Sequence, residues 1–476
     1  MTTTLERPTE MQISTIKVAV LPFVNMSADP DFEYFSDGVS EDIIDTLNAS
    51  EGLKLISRGS SFALKNEKLE ISEVGQSLKV DFVVCGTLRR IGKKVRMRVY
   101  LNEAENGEKI WSESYDQPVV DIFKIEADII DHLWEHMVSP EQKSEWKKPE
   151  FKPATTNLVA YEHYLQGLFH HNKWTMQALS TAVACYQRAI KKEPDYYLAY
   201  AMMANAYTRL SFVGSHDTPV KSYDEAQEAA ERAIELNPDY YRSYMALSYV
   251  YLYQKYDWEQ ALMMVNRAIK LNPTSSKSHV AKSLYYTVKG NFTESRKLLE
   301  KALELDPFSF MAKRAVADNY FLERKYDKAI ELYDELIEID PYHEKVLEYR
   351  AWAVVMKGEI DEAIATFRNF DHQTKLTLKS YSQLGYAFAK KGDTENAERY
   401  LAEIKKSAAI HKSLTYALDF AVVHTALGNF EKAMDYLEEA VENKRSAIIY
   451  TKVHPIWDPM RKHPRFKALA KRLLLD

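Results

Sequence analysis

The chain predicts an α+β protein: a small amino-terminal α/β domain with a mixed sheet, followed by an all-α superhelix of repeated helix pairs. Three observations carry this. Pro194, Pro238, Pro273, Pro307 and Pro341 recur at steps of 44, 35, 34 and 34 residues, each five residues after an alanine or leucine that ends a helical stripe. A period of 34 is that of a helix–turn–helix repeat. Ahead of residue 140 the apolar residues instead form short valine-rich runs or alternate with a period of two, which suits strands. Between the two regions, Pro140 to Pro153 is charged and rich in turn residues, as a linker would be.

Taken in order, Lys17 to Phe23 reads as a strand buried on both faces and Asp37 to Leu47 as a helix with Ile43, Ile44 and Leu47 inward. Leu53 to Arg58 is a second strand, Ile71 to Leu78 a second helix, and Val80 to Ile91 a third strand that turns at Gly92. Val95, Met97, Val99 and Leu101 alternate with Lys94, Arg96, Arg98 and Tyr100, the pattern of an antiparallel strand with one wet face. Lys109 to Tyr115 returns, and a helix from Val119 to His136 closes the domain. The boundaries expected are an extended or disordered start at 1–15, the α/β domain at 16–138, a linker at 139–155, the repeats at 156–442 and a capping segment at 443–476.

The repeats share offsets as well as a period. Tyr244, Leu247, Ser248, Tyr251, Ala261, Val265, Ala268 and Pro273 make one unit, and Ser283, Tyr286, Ser295, Leu299, Ala302 and Pro307 the next. Ala317, Tyr320, Ala329, Tyr333, Leu336 and Pro341 follow. Small residues stand where backbones approach and large ones where gaps need filling. Two looser units precede, around Gly167, Ala182 and Tyr186 and around Ala204, Tyr207 and Ala226, with extra residues in loops such as Phe212 to Lys221. Beyond Pro341 the stripe continues through Ala351, Gly358, Ala363 and Phe367, then Leu384, Gly385, Phe388 and Ala397, then Phe420, Ala421, Ala433 and Leu437, which makes about eight repeats. Gly290, Gly358, Gly392 and Gly428 suit the left-handed residue that ends a first helix.

These units resemble tetratricopeptide repeats. The amino-terminal part resembles the TolB-like domain found beside such repeats in bacterial signalling proteins, on Val18-Ala19-Val20-Leu21-Pro22-Phe23, Asp37-Gly38-Val39-Ser40-Glu41-Asp42-Ile43-Ile44, Arg58 with Ser60-Ser61-Phe62, Val83-Val84-Cys85-Gly86-Thr87-Leu88-Arg89-Arg90 and Ile110-Trp111. The ending Val453-His454-Pro455-Ile456-Trp457-Asp458-Pro459-Met460-Arg461 with His463-Pro464-Arg465-Phe466 is similar to the terminal motif of such proteins. In that family the pair of modules often follows an adenylate cyclase or winged-helix domain. About 15 residues stand before the first strand here, so the resemblance implies the non-catalytic, regulatory or scaffolding part.

Composition agrees with a protein that is not exported and does not bind nucleic acid. The net charge is −6, and residues 1–150 hold 18 basic and 27 acidic side chains, so no basic field is presented. Cys85 and Cys185 fall in different expected domains, which argues against a disulfide framework and favours the cytoplasm. No run of about 18 apolar residues is present to span a membrane. The basic tail around Arg461, Lys462, Arg465 and Lys467 reads as a solvated helix face.

Motifs for chemistry are lacking. Only 14 glycines occur and none cluster into a phosphate-cradling loop. His163, His170 and His171 lack the glutamate that a paired-histidine zinc site of a protease would need. Glu41 and Asp42 after Ser40 suit a helix start, and Cys85 suits a small core residue. No catalytic residue, cofactor or metal is expected. A protein or peptide partner is expected in the groove of the repeats, at Asn205, Arg242, Met245, Tyr249, Lys277, Leu284, Arg314, Asp318, Phe321, Trp352, Ser382 and Tyr386, with Val422 at the end of the row. Aromatic and arginine side chains often dominate interface energy; packing within the repeats is the competing reading. The resemblance to tetratricopeptide repeats, some of which clamp a terminal carboxylate with lysine and asparagine on consecutive first helices, puts Asn205 and Lys277 at clamp positions but Ala201 and Ala281 where their basic companions would stand, so a terminal-carboxylate ligand is not expected. A second expectation is a sensor whose α/β domain takes an anionic ligand on Arg96 and Arg98. Homo-oligomerisation is left open.

Overall fold

The computed structural model describes residues 15–29, 32–50, 52–65, 67, 69–173, 175–213, 221–341, 343–374, 379–410 and 416–473. The start expected to be extended falls, Thr15 apart, outside them, as does most of the expected 212–221 loop. The chain divides into two compact units, at 1–158 and 159–476.

The first unit is built on a six-stranded mixed sheet. Its strands are β1 (Ile16–Val20), β2 (Val24–Asn25), β3 (Leu53–Leu55), β4 (Phe82–Ile91), β5 (Lys94–Glu103) and β6 (Lys109–Pro118). The spatial order is β3-β1-β4-β5-β6; β1 runs parallel to β3 and β4, β2 runs parallel to β4, and β4-β5-β6 is an antiparallel meander. Val18, Ala19 and Val20 are wholly buried, as a parallel strand covered on both faces requires. On β5 the alternation holds: Val95, Met97, Val99 and Leu101 are buried while Lys94, Arg96 and Arg98 are exposed.

Four helices complete the elements between and after the strands: α1 (Glu33–Leu47), α2 (Arg58–Ala63), α3 (Ile71–Leu78) and α4 (Ile122–Met137), followed by the short α5 (Pro140–Glu145). Val74 and Leu78 of α3 pack on Ala19, Val83 and Ala104. A methyl on Gly75 would stand 2.5 Å from Ala104 O, so only glycine allows this approach. Ile122, Ile125, Ile129, Ile130, Leu133, Trp134 and Met137 form the buried stripe of α4.

Two expectations need correction here. Ser40 does not start a helix: α1 begins about two turns earlier, and Ser40 Oγ donates to Ser36 O and accepts from Phe23 N–H, both at 2.9 Å. Glu41 is likewise mid-helix and pairs with Arg58 at 3.0 Å. The stretch read as a linker is also ordered, with α5 capped by Ser139 and Gln142. Trp146 is 7% exposed and lies so close on Gly52 that a methyl there would meet its ring at 1.9 Å. An apolar ring of that size gains more from burial than a solvated linker would gain from freedom.

The second unit consists, among the described residues, of eight helix pairs: α6 (Leu158–His171) with α7 (Met176–Lys192), α8 (Tyr197–Val213) with α9 (Lys221–Leu236), α10 (Tyr241–Val250) with α11 (Trp258–Leu271), α12 (Ser276–Val288) with α13 (Phe292–Leu305), α14 (Phe310–Leu322) with α15 (Tyr326–Ile339), α16 (Glu344–Lys357) with α17 (Ile360–Thr374), α18 (Lys379–Lys391) with α19 (Thr394–Ile410), and α20 (Ala417–Ala426) with α21 (Phe430–Glu442). Each of the five prolines stands two residues beyond the end of a second helix. The intervening Glu193, Asn272, Asp306 and Asp340 have ψ between 85° and 90°, extended as a residue before proline must be. First helices touch first helices, α8 with α10, α10 with α12, α12 with α14 and α14 with α16, so they form a continuous face.

After α21 come a tight turn at Ser446–Tyr450, another at Pro455–Met460 and α22 (Pro464–Arg472). Ile448, Ile449, Val453, Ile456, Trp457, Met460, Phe466 and Leu469 of this tail are all buried. They belong to the same apolar cluster as Val250, Trp258, Phe321, Trp352 and Tyr386 of the repeats.

Candidate functional site

The tail does not merely cap the last repeat; it runs back over the first-helix face. Arg465 near its end bridges Glu431, Asp435 and Glu438 of α21 at 3.0, 2.9 and 2.8 Å. Thr425 Oγ1 lies 2.9 Å from Met460 Sδ. The His454 ring is set among Phe321, Trp352 and Tyr349, with centroids 5.3, 6.2 and 6.4 Å away. Trp258 Nε1 donates to Leu473 O at 2.7 Å, across 215 residues of sequence.

Backbone strain marks two of the grips. Gly290, Gly358, Gly392 and Gly428 end their first helices with φ between 75° and 102°, but the corresponding turns of the third and fifth pairs hold Tyr256 (φ 52°) and Arg324 (φ 67°). A side chain in that region costs about 1 kcal/mol relative to glycine. Both side chains reach the tail. Tyr256 OH donates to Arg445 O at 3.2 Å; Arg324 donates to Asp458 Oδ1 and Oδ2 at 2.6 and 3.1 Å and to Val453 O at 3.2 Å.

This settles where the expected groove residues lie. Phe321, Trp352 and Tyr386 are 0, 5 and 2% exposed, packed among one another and the tail, because large aromatic rings on that face are covered by the chain itself. Ser382 is buried and donates to Asp419 Oδ1 at 2.7 Å. Arg314 pairs with Asp318 at 3.6 Å, and Asp318 also accepts from Tyr333 OH at 2.8 Å. Burial pushes the Asp318 carboxyl up, against the pull of Arg314. Leu284 is half-buried and Val422 buried.

The remaining five, Asn205, Arg242, Met245, Tyr249 and Lys277, line one hollow of roughly 440 Å³ that includes space open to solvent. Its other walls are His171, Met202, Arg209, Tyr241 and Met311, so five successive first helices contribute. Asn205 Nδ2 donates to Ala201 O at 2.8 Å and to Arg242 O at 3.1 Å, tying α8 to α10. Arg242 Nε donates to Tyr241 OH at 3.1 Å. Burial, and then the neighbouring Arg242 guanidinium, oppose the charge on Arg209 and bring its pKa down to about 10, despite the favourable fields of Tyr249 and Tyr186. Arg209 was missed in the sequence although it stands one helical turn beyond Asn205, a spacing that puts both on one face.

In the first unit the expected ligand face fares differently. Arg96 donates to Asp116 Oδ2 at 2.6 and 3.2 Å across β5 and β6, and Arg98 stands opposite Ser114. The Arg96 charge is thus already met by a strand neighbour. A denser charge cluster joins α1 to α2: Arg58 pairs with Glu41, Lys65 with Asp37 and Glu33, and the Arg58 guanidinium lies 3.8 Å over the Phe62 ring. Cys85 is half-buried, accepts from Asn102 Nδ2 at 3.5 Å, and has its thiol pKa raised by burial, the reverse of a reactive thiolate.

Comparison with known proteins places the repeats. Tetratricopeptide-repeat models match residues 222–276, 281–344, 378–410 and 413–442. A protein of Rhizobium meliloti (strain 1021) with the provisional name adenylate cyclase 3 is 31% identical over 193 residues, 39% of this chain. The chain thereby spans about a third of that relative's length, 32%. Among solved structures, a tetratricopeptide-repeat protein of Parabacteroides merdae ATCC 43184 aligns with 60% of this chain and 100% of its own at 20% identity, with a TM-score of 0.38. A thermophilic repeat protein of Thermus thermophilus aligns with 41% of this chain and 99% of its own at 22% identity, with a TM-score of 0.35. No described helix is long and apolar enough to cross a membrane.

Proposed function

We propose that the chain is a non-catalytic scaffold of bacterial signalling, which holds a protein partner on the first-helix face of its early repeats. One observation carries the reading: the tail covers the face of the later repeats, and the hollow lined by Asn205, Tyr241, Arg242, Tyr249 and Lys277 remains open ahead of it. Tyrosine and arginine walls are the residue types that concentrate binding energy when a partner buries them. The tetratricopeptide-repeat matches support a binding role, and the relative with a cyclase name supports a place in signalling. The α/β unit, TolB-like in its motifs, would contribute assembly or control of the partner.

The test is affinity capture from the native lysate with the full-length protein and a Tyr241→Ala/Lys277→Ala variant, with mass spectrometry of what each retains. Neither side chain is fully buried, so far-UV circular dichroism should match. A protein retained by the wild type and lost from the variant supports the reading. Identical captures would refute it.

A further inference from the structure

We propose that His132 and His136 on α4, beside Trp111 of β6, form a surface binding site for a divalent first-row transition metal ion such as copper, nickel or zinc. The site lies in the first unit and does not rest on the scaffold reading. The two histidines stand four residues apart on one helix, so their side chains lie one above the other on one face. The apolar stripe of α4, through Ile129, Leu133 and Trp134, is buried, whereas His132 is half-exposed and His136 exposed. Their ring nitrogens are already assigned. His132 Nδ1 lies 2.9 Å from Asp128 O, and His136 Nδ1 lies 2.7 Å from His132 O. A carbonyl oxygen can only accept, so Nδ1 is the donor in both rings, and in the neutral imidazole the lone pair falls on Nε2. Neither Nε2 has a hydrogen-bond partner among the described residues. Metal-ligating histidines are held in this way, with one nitrogen fixed by a carbonyl or carboxylate and the other given to the ion.

Two neighbours support the pair. The Trp111 indole stacks on His132, with centroids 5.4 Å apart and planes at 15°, and lies tilted against His136 at 5.9 Å and 34°. It flanks both rings and so reduces the side-chain freedom that binding would have to remove. Asp128, one turn earlier, accepts from Tyr115 OH at 2.7 Å and stands 3.4 Å from His132 Nδ1. No lysine or arginine pairs with Asp128 among the described residues, so its charge favours a dication close by. Asp131 and Glu135 are instead met by Lys148, and Glu135 also by Lys143. The two histidine centroids are 6.4 Å apart, with planes at 25°. An ion about 2.0–2.1 Å from both Nε2 atoms would draw them together by about 1 Å and tilt the rings toward each other, a small rotation for side chains at the surface. Among the described residues no group of three or more histidine, cysteine, aspartate or glutamate side chains is placed to hold an ion, so the chain supplies two ligands and water the others. Imidazole favours copper, nickel and zinc over magnesium, and copper should bind more tightly than nickel.

Titration of the purified full-length protein with nickel, copper and magnesium chlorides, followed by tryptophan fluorescence, tests this. Nickel and copper ions are paramagnetic and quench a nearby indole, and Trp111 touches both histidine rings. Nickel should quench saturably, copper should do so at lower concentration, and magnesium should not quench. His132→Phe and His136→Phe each keep an aromatic ring against Trp111 and remove the lone pair. Either should raise the nickel midpoint at least about tenfold, since outer-shell partners alone are worth about 10–100-fold in metal affinity. Calorimetric titration with zinc chloride, which does not depend on the surroundings of Trp111, should show the same loss in both variants, and far-UV circular dichroism should match the wild type because neither histidine is buried. No saturable quenching up to about 1 mM nickel, equal quenching by magnesium, or a nickel midpoint and zinc affinity unchanged in both variants would each overturn the proposal. The last result would assign the bound metal to histidines elsewhere in the chain.

Discussion

Acid should loosen the second unit through His454. The ring lies against Phe321, Trp352 and Tyr349 and accepts from Ile456 N–H at 3.3 Å, and burial lowers its pKa from 6.5 to about 3. Glu348 and Asp458 favour its charge, Arg324 and Arg461 oppose it, and burial outweighs them all. Because the folded value is depressed, the unfolded chain binds the proton more readily. The stabilising contribution is therefore complete above about pH 6.5 and is lost as pH falls towards about 3. At about pH 5 the unfolded imidazole is almost fully protonated and the folded one is not, a difference of about 2 kcal/mol. That figure depends on the unfolded value and hardly on the folded one, provided the latter stays below about 4. Urea unfolding of the full chain followed by far-UV circular dichroism, dominated by the helical unit, should show it. A His454→Asn variant retains a side chain able to cap the Pro455–Met460 turn. It should start less stable but lose about 2 kcal/mol less than wild type between about pH 7.5 and about pH 5. His343 and His424, whose pKa values are also lowered by burial, titrate in both proteins and cancel in the comparison. Equal pH dependence in the two would refute a buried, neutral His454.

Other substitutions probe the tail and the packing. Trp352→Ala should cost about 3–5 kcal/mol in urea denaturation, as for a buried large side chain cut to alanine, whereas Tyr241→Ala at the hollow should cost far less. Arg324→Gly and Arg324→Ala both lose the grip on Asp458 and Val453, but only glycine relieves the φ of 67°, so the glycine variant should be the more stable by about 1 kcal/mol in the same assay. Gly52→Ala drives a methyl into the Trp146 ring and should destabilise the first unit by about 1–3 kcal/mol, with a red shift of tryptophan emission as Trp146 meets water.

The periodic part of this protein was legible in residue order because its causes are local. Pro194 through Pro341 stop helices wherever they stand, Gly358 and Gly392 permit the left-handed turn whatever surrounds them, and Val95 to Leu101 alternate because a strand does. The first half of the hollow was legible for the same reason, since Asn205, Arg242, Met245 and Lys277 occupy one helical face of successive repeats. Trp146 on Gly52 was not, nor was Ser40 in mid-helix, because each depends on a partner that the local pattern does not name.

By itself, then, the sequence determined the two architectures, the repeat period and the residues that face the first-helix side. Only the tertiary structure decided which of those residues are open. Phe321, Trp352 and Tyr386 have the composition of a binding row, and no rule of spacing separates an aromatic ring awaiting a partner from one already covered. The partner proved to be the chain's own end, joined over as many as 215 residues by Trp258 and Leu473 and gripped at Tyr256 and Arg324. The reason is physical: apolar burial is non-directional and indifferent to sequence separation, so the surface that covers a given ring is set by where the whole chain returns.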